Sequence, residues 1–125
     1  MSTAQLSDVA TRFLDALERR DFEALAGTFA PNGRLRGLVP PGLREAEGRK
    51  AIAERFRIWN GDYDEFEVVD TSVEPFADVV SIRWRIAGTE PGAAPEVYEQ
   101  SAYAAVGDDG IAWMNLVCSG GRPAH

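Results

Sequence analysis

Val79-Val80-Ser81-Ile82-Arg83-Trp84-Arg85-Ile86-Ala87 alternates apolar and polar side chains residue by residue. Side chains of a strand point alternately to its two faces. The stretch is therefore a strand with Val80, Ile82, Trp84 and Ile86 on a buried face and Ser81, Arg83 and Arg85 on the other. Glu96 to Val106 repeats the pattern: Tyr98, Gln100, Ala102, Ala104 and Val106 form the more apolar set, and Glu99, Ser101 and Tyr103 face away. Gly107-Asp108-Asp109-Gly110 marks a turn into a last strand, Ile111 to Ser119. Its inward set reads as Ala112, Met114, Leu116 and Cys118, with Trp113 and Asn115 outward. Upstream, Glu65 to Glu74 is rich in β-branched and aromatic residues, and Pro75 to Asp78 makes a turn. Gly88 to Pro95 is a loop between long strands. Consecutive strands with short connections pair antiparallel.

The first half of the chain has the other period. Leu6, Val9, Ala10, Phe13, Leu14 and Leu17 lie on one helical stripe, with Ser2 and Gln5 as a capping box. Asp21 caps a shorter helix in which Phe22, Leu25, Ala26 and Phe29 share a face, and Pro31-Asn32-Gly33 ends it. Arg34 to Val39 reads as a short strand, broken by Pro40-Pro41-Gly42 and followed by a polar loop to Gly48. A third helix runs from Arg49 to Asn60 with Ile52, Phe56 and Trp59 on one side, and Asn60-Gly61 stops it. Helices that must cover one face of an antiparallel sheet give an α+β layer architecture.

The chain has 125 residues, 45% of them hydrophobic, which fits one domain spanning 1–125 with a substantial core. No run approaches the roughly 20 apolar residues that a membrane-crossing helix needs. The polar start, Met1 to Gln5, does not read as a signal peptide. A net charge of -7 disfavours nucleic acid and an anionic membrane surface as partners. Cys118 is the single cysteine, which excludes an internal disulfide and points to a reducing cytoplasm. His125, the last residue, is the single histidine. Histidine-based triads and His/Cys metal sites are therefore not expected, and no metal or cofactor is called for.

Four stretches carry a family resemblance: Phe13-Leu14-Asp15-Ala16-Leu17 leading to Asp21-Phe22-Glu23-Ala24-Leu25; Phe29-Ala30-Pro31-Asn32-Gly33; Gly48-Arg49-Lys50-Ala51-Ile52 with Phe56; and Asp108-Asp109-Gly110-Ile111. Over nearly its whole length the chain resembles the nuclear transport factor 2-like superfamily, with its SnoaL-like and ketosteroid isomerase-like members. The ending Leu116 to Pro123 is similar to tails of bacterial members without an assigned reaction. The resemblance implies a cone-shaped, cystatin-like α+β barrel: a curved mixed or antiparallel sheet wrapped around three N-terminal helices, with an apolar pocket inside. It does not supply an activity, because the fold hosts unrelated chemistries and non-enzymes.

Laid along this chain, the ketosteroid isomerase pattern puts its base near Gly37, its tyrosine at Phe13 and its second acid near Ala102, so all three functional groups are missing. The histidine–aspartate pair of scytalone dehydratase and the cyclases lacks its histidine. The arginine between two acids of limonene epoxide hydrolase would need Arg83, Arg85 and Glu99, which alternation places outward.

Asp62, Asp64, Glu65 and Glu67 crowd the entry to a strand. They are either a solvated turn or the source of a desolvated general acid, with Asp64 as the candidate. Tyr98 is the other catalytic candidate, and with Gln100 it is an inward polar group able to hold a ligand carbonyl or hydroxyl. Phe13, Phe56, Trp59, Trp84, Met114 and Cys118 complete the expected ligand-binding set; each also fits plain core packing.

Two functions follow from these readings. One is a cofactor-free isomerase, cyclase, dehydratase or epoxide hydrolase acting on a small hydrophobic, polyketide- or terpenoid-like molecule. The other is a non-catalytic ligand-binding or dimerisation module. Tyr103, Trp113 and Val117 on the outer sheet face point to a homodimer through that side, which the resemblance also implies.

Overall fold

The computed structural model describes residues 1–124; His125 lies outside the described residues. The chain runs α1 (Thr3–Glu18), α2 (Phe22–Gly27), β1 (Phe29–Val39), β2 (Gly42–Glu47), α3 (Arg49–Asn60), β3 (Glu65–Phe76), β4 (Val79–Thr89), β5 (Glu96–Gly107), β6 (Gly110–Cys118) and β7 (Arg122–Pro123). Ser2 and Gln5 form the reciprocal capping box on α1, and Asp21 accepts the Ala24 N–H at the start of α2. The stripe of α1 is buried from Leu6 to Leu17 and packs on β3 and β4, while α3 packs on β1 and β2.

The sheet is mixed, curved and unclosed, in the order β2-β1-β6-β5-β4-β3, with β7 on the free part of β5. Consecutive strands pair antiparallel as expected. The exception is β1, which lies parallel to β6, because these partners are distant in sequence and the short-connection rule does not govern them.

Three expectations are corrected. Phe29 does not extend α2 but opens β1, and Pro31-Asn32-Gly33 forms an irregularity between the Phe29 and Arg34 pairings with β6. Proline lacks the donor that a regular ladder requires, so a bulge accommodates it. The polar loop after Gly42 is an edge strand, β2, whose Arg36–Glu45 cross-strand pair lies at 3.8 Å. Its charge lowers strand propensity while suiting a sheet edge. In β6, a bulge between the Ala105–Trp113 and Val106–Ile111 pairs turns both Ala112 and Trp113 outward and makes Ile111, with Met114 and Leu116, part of the core.

The core lies between the helices and the inner face of β4, β5 and β6. Phe13, Phe29, Phe56, Ile82, Trp84, Ile86 and Ile111 are fully buried there. Phe13 packs edge-on to Phe56 at 5.6 Å and against Trp84 at 5.3 Å.

Candidate functional site

At one end of this core the helix and sheet layers separate around a cavity of about 450 Å³. Its walls come from the β1–β2 hairpin (Val39, Pro40, Pro41, Arg44), the last turns of α3 (Arg55, Ile58, Trp59), Tyr63, the start of β5 (Glu96, Tyr98, Gln100), Cys118 at the end of β6, and Gly120 and Gly121 beyond it. The volume lies within the range of small-molecule sites. A larger depression of about 610 Å³ lies between α2 and α3, where Glu23, Arg49, Lys50, Glu54 and Arg57 surround Ala26 and Ala53.

Missing side chains shape the cavity. A β-carbon at Gly37 would stand 2.9 Å from Cη2 of Trp59, so the indole rests directly on the β1 backbone. A β-carbon at Gly88 would come within 2.6 Å of the Tyr63 ring, and one at Gly121 within 2.5 Å of Glu96 Oε2. Gly120, at φ +78°, turns the chain after β6 along the cavity wall. Arg20 orders the turn carrying Tyr63: its Nη1 donates to the Tyr63 carbonyl at 2.8 Å, and its guanidinium lies 5.0 Å from the Phe66 ring centroid.

The polar groups have defined bonding states. Trp84 Nε1 donates to Gln100 Oε1 at 3.0 Å. Because an indole only donates, the Gln100 oxygen must face Trp84, and the amide NH₂ falls on the other side. Among the described residues that NH₂ has no acceptor, and Gln100 lines the cavity. Asn60 Nδ2 donates to the Phe56 carbonyl at 3.1 Å, which directs Asn60 Oδ1 to the Tyr98 hydroxyl. Tyr98 therefore donates its proton to Asn60 and presents only lone pairs to a ligand. The Tyr63 hydroxyl donates to Glu96 Oε1 at 2.7 Å. Tyr63 and Tyr98 stack at 6.2 Å. Burial raises the Tyr98 pKa far above the ordinary phenol value, with smaller contributions from Tyr63, Cys118 and Glu96. Burial also raises that of Tyr63, followed by its hydrogen bond to Glu96 and the Glu96 charge. Both phenols remain protonated across the physiological range.

Of the residues expected to bind ligand, Trp59, Tyr98, Gln100 and Cys118 meet around the cavity. Phe13, Phe56, Trp84 and Met114 do not: all four are fully buried and belong to the packed core. Asp64 is exposed and does not line the cavity, and the same holds for Asp62, Glu65 and Glu67; between Asp62 and Asp64 it is Tyr63 that turns inward. The carboxylate that does line the cavity is Glu96, two residues before Tyr98 on the same strand face. Arg83, Arg85 and Glu99 lie on the outer face, where Arg85 and Arg83 reach Glu99 at 2.9 and 3.4 Å. Among the described residues, no three His, Cys, Asp or Glu side chains are placed to hold a metal ion. Nor, among the described residues, is any helix long and apolar enough to cross a membrane.

A family model described as a SnoaL-like domain matches residues 10–116. No curated protein matches the chain in sequence. Solved structures are similar in fold. One is a protein of ketosteroid isomerase-like fold from Catenulispora acidiphila, in complex with trimethylamine: 19% identity, TM-score 0.73, covering 86% of this chain and 82% of that one. A second is a candidate polyketide cyclase from Xanthomonas campestris pv. campestris: 17% identity, TM-score 0.74, covering 91% and 90%. A third is a candidate hydroxylase from Streptomyces galilaeus: 12% identity, TM-score 0.74, covering 94% and 80%.

Proposed function

The chain belongs to the SnoaL-like domain family, and from that premise we propose that it binds one small, largely apolar organic molecule in the cavity beside Trp59. The observation that carries this reading is the 450 Å³ space with a few oriented polar groups in an otherwise apolar wall. A largely apolar concave wall with a few hydrogen-bonding groups is typical of small-molecule sites. A polyketide-like or terpenoid-like ligand suits the apolar wall, and the likeness in fold to a candidate polyketide cyclase is in keeping with it. The neutral fluorophore N-phenyl-1-naphthylamine tests the reading. It should brighten on titration and saturate at one molecule per chain; absence of saturable binding would contradict it.

A cofactor-independent acid–base enzyme is the second reading, favoured by Glu96. Its Oε1 is engaged by Tyr63, and the residue lines the cavity with Gln100. Such a carboxylate can take a proton from a bound carbon acid or hydroxyl while Gln100 donates to a neighbouring oxygen. Neither tyrosine serves as the acid, since the proton of each is already directed to a protein acceptor.

The outer sheet face supports a homodimer. Leu38 pairs with Val117 across β1 and β6, and both are more than half exposed, as is Tyr103. Trp113 is partly exposed nearby on β6. Adjoining exposed apolar side chains of this size favour a protein contact. Light scattering should report a dimer that Trp113→Glu converts to monomer; a monomeric parent at high concentration would contradict this assembly.

A further inference from the structure

The β2 strand alternates regularly, but its inward set includes a charged residue at the cavity. Leu43, Glu45 and Glu47 face outward, so Gly42, Arg44 and Ala46 occupy the inward register. Arg44 sits directly across from Gly37 in the antiparallel β1–β2 pair. Residues opposite each other share a sheet face. The guanidinium of Arg44 therefore projects over the inner face, next to the place where Gly37 has no side chain and Trp59 lies down. One of its nitrogens donates to the Leu43 carbonyl at 3.1 Å, and it has no carboxylate partner among the described residues. On α3, Arg55 approaches the same space, its guanidinium 5.8 Å from the Trp59 ring centroid. It too forms no ion pair among the described residues, whereas Arg57 two positions later is bound to Glu54 at 2.7 Å. Two cations thus stand against one carboxylate, Glu96, which already accepts a hydrogen bond from the Tyr63 hydroxyl. This positive rim belongs to a chain of net charge -7.

We propose that the ligand is an organic anion, with an apolar body and a carboxylate-type or sulfonate-type group held at the cavity mouth by Arg44 and Arg55. The proposal rests on the cavity being the binding site and names the class of molecule it accepts. Charge-assisted hydrogen bonds from guanidinium to such groups are stronger than neutral ones and fix orientation. With the acidic end at the arginines, the apolar body lies along Trp59, Pro40, Pro41 and Ile58, and its far end meets the Gln100 NH₂ and the lone pairs of Tyr98.

A matched pair of fluorescent probes tests this. 1-Anilinonaphthalene-8-sulfonate and N-phenyl-1-naphthylamine share one aromatic skeleton and differ by the sulfonate. The anionic probe should bind about tenfold tighter at low salt, an advantage of about 1.4 kcal/mol. Arg44→Gln and Arg55→Gln should each remove most of that advantage, weakening the anionic probe several-fold more than the neutral one. Arg34→Gln, an equal charge change on the outer face, should alter neither. If the neutral probe binds at least as tightly as the anion, or if Arg34→Gln acts like the other two, the anion proposal falls while the cavity remains a binding site. If Arg44 only guards the β2 edge against pairing with another chain, Arg44→Gln promotes aggregation with the probe preference intact, and the proposal again falls. If neither probe binds, the cavity reading falls with it.

Discussion

The indole N–H of buried Trp84 donates to Oε1 of Gln100 at 3.0 Å, and this bond joins the packed core to the cavity wall. It determines which end of the Gln100 amide a ligand meets. It also accounts for a tryptophan and a glutamine that face each other across β4 and β5 at an inward register.

Gln100→Leu leaves the Trp84 N–H buried without a partner. An unsatisfied buried donor costs about 1–3 kcal/mol, so the urea midpoint should fall accordingly. In a Trp84→Phe background the same change should cost clearly less, because no orphaned donor remains. A double-mutant cycle that shows no coupling between the two positions would contradict the bond's role.

Gly37→Ala places a β-carbon 2.9 Å from Cη2 of Trp59 and 3.2 Å from Cδ1 of Leu116. The indole must move off the β1 backbone, and overpacking of this kind costs roughly 1–3 kcal/mol. The expected readouts are a lower melting temperature, an altered tryptophan emission spectrum and weaker binding of N-phenyl-1-naphthylamine. An unchanged emission spectrum would mean that Trp59 does not rest on Gly37.

Alkaline pH probes the two buried phenols. Their pKa values are raised in the folded chain from 10.0, the ordinary value. The unfolded chain therefore loses these protons first as pH rises, and stability contributed by the neutral phenols is complete below about pH 10 and declines above it. The slope is about 1.4 kcal/mol per pH unit for each tyrosine that ionises only on unfolding. Tyr98→Phe should make the decline of urea stability above pH 10 shallower. An identical slope in the variant would show that Tyr98 ionises freely in the folded state.

Much of the fold was legible because β4 and β5 are regular. Trp84, Tyr98 and Gln100 could be assigned inward from alternation alone, and each is buried. The reading failed where the period is interrupted. The bulge at Ala112 shifts the phase of β6, and charges mask β2, so Arg44 read as a loop residue. Fully buried Phe13, Phe56, Trp84 and Met114 cannot be told from cavity-lining residues by polarity, because core and pocket wall use the same side chains. Glu96 was within reach: it continues the Tyr98–Gln100 register by one step. Tyr63 had no such signal, since its position depends on the bare backbone of Gly88 and on Arg20, both distant in sequence.

The central claim is that the space bounded by Trp59, Tyr98, Gln100 and Cys118 is where a ligand resides. Cys118 is half-buried on that wall and packs against the core without belonging to its fully buried set, so Cys118→Phe adds a ring on the cavity side. The decisive measurement is a titration of N-phenyl-1-naphthylamine into the parent chain and into Cys118→Phe, with circular dichroism confirming that the two fold alike. The account predicts saturable binding at one molecule per chain in the parent and at least about a tenfold loss of affinity in the variant, equivalent to about 1.4 kcal/mol. Equal affinity in both would contradict it.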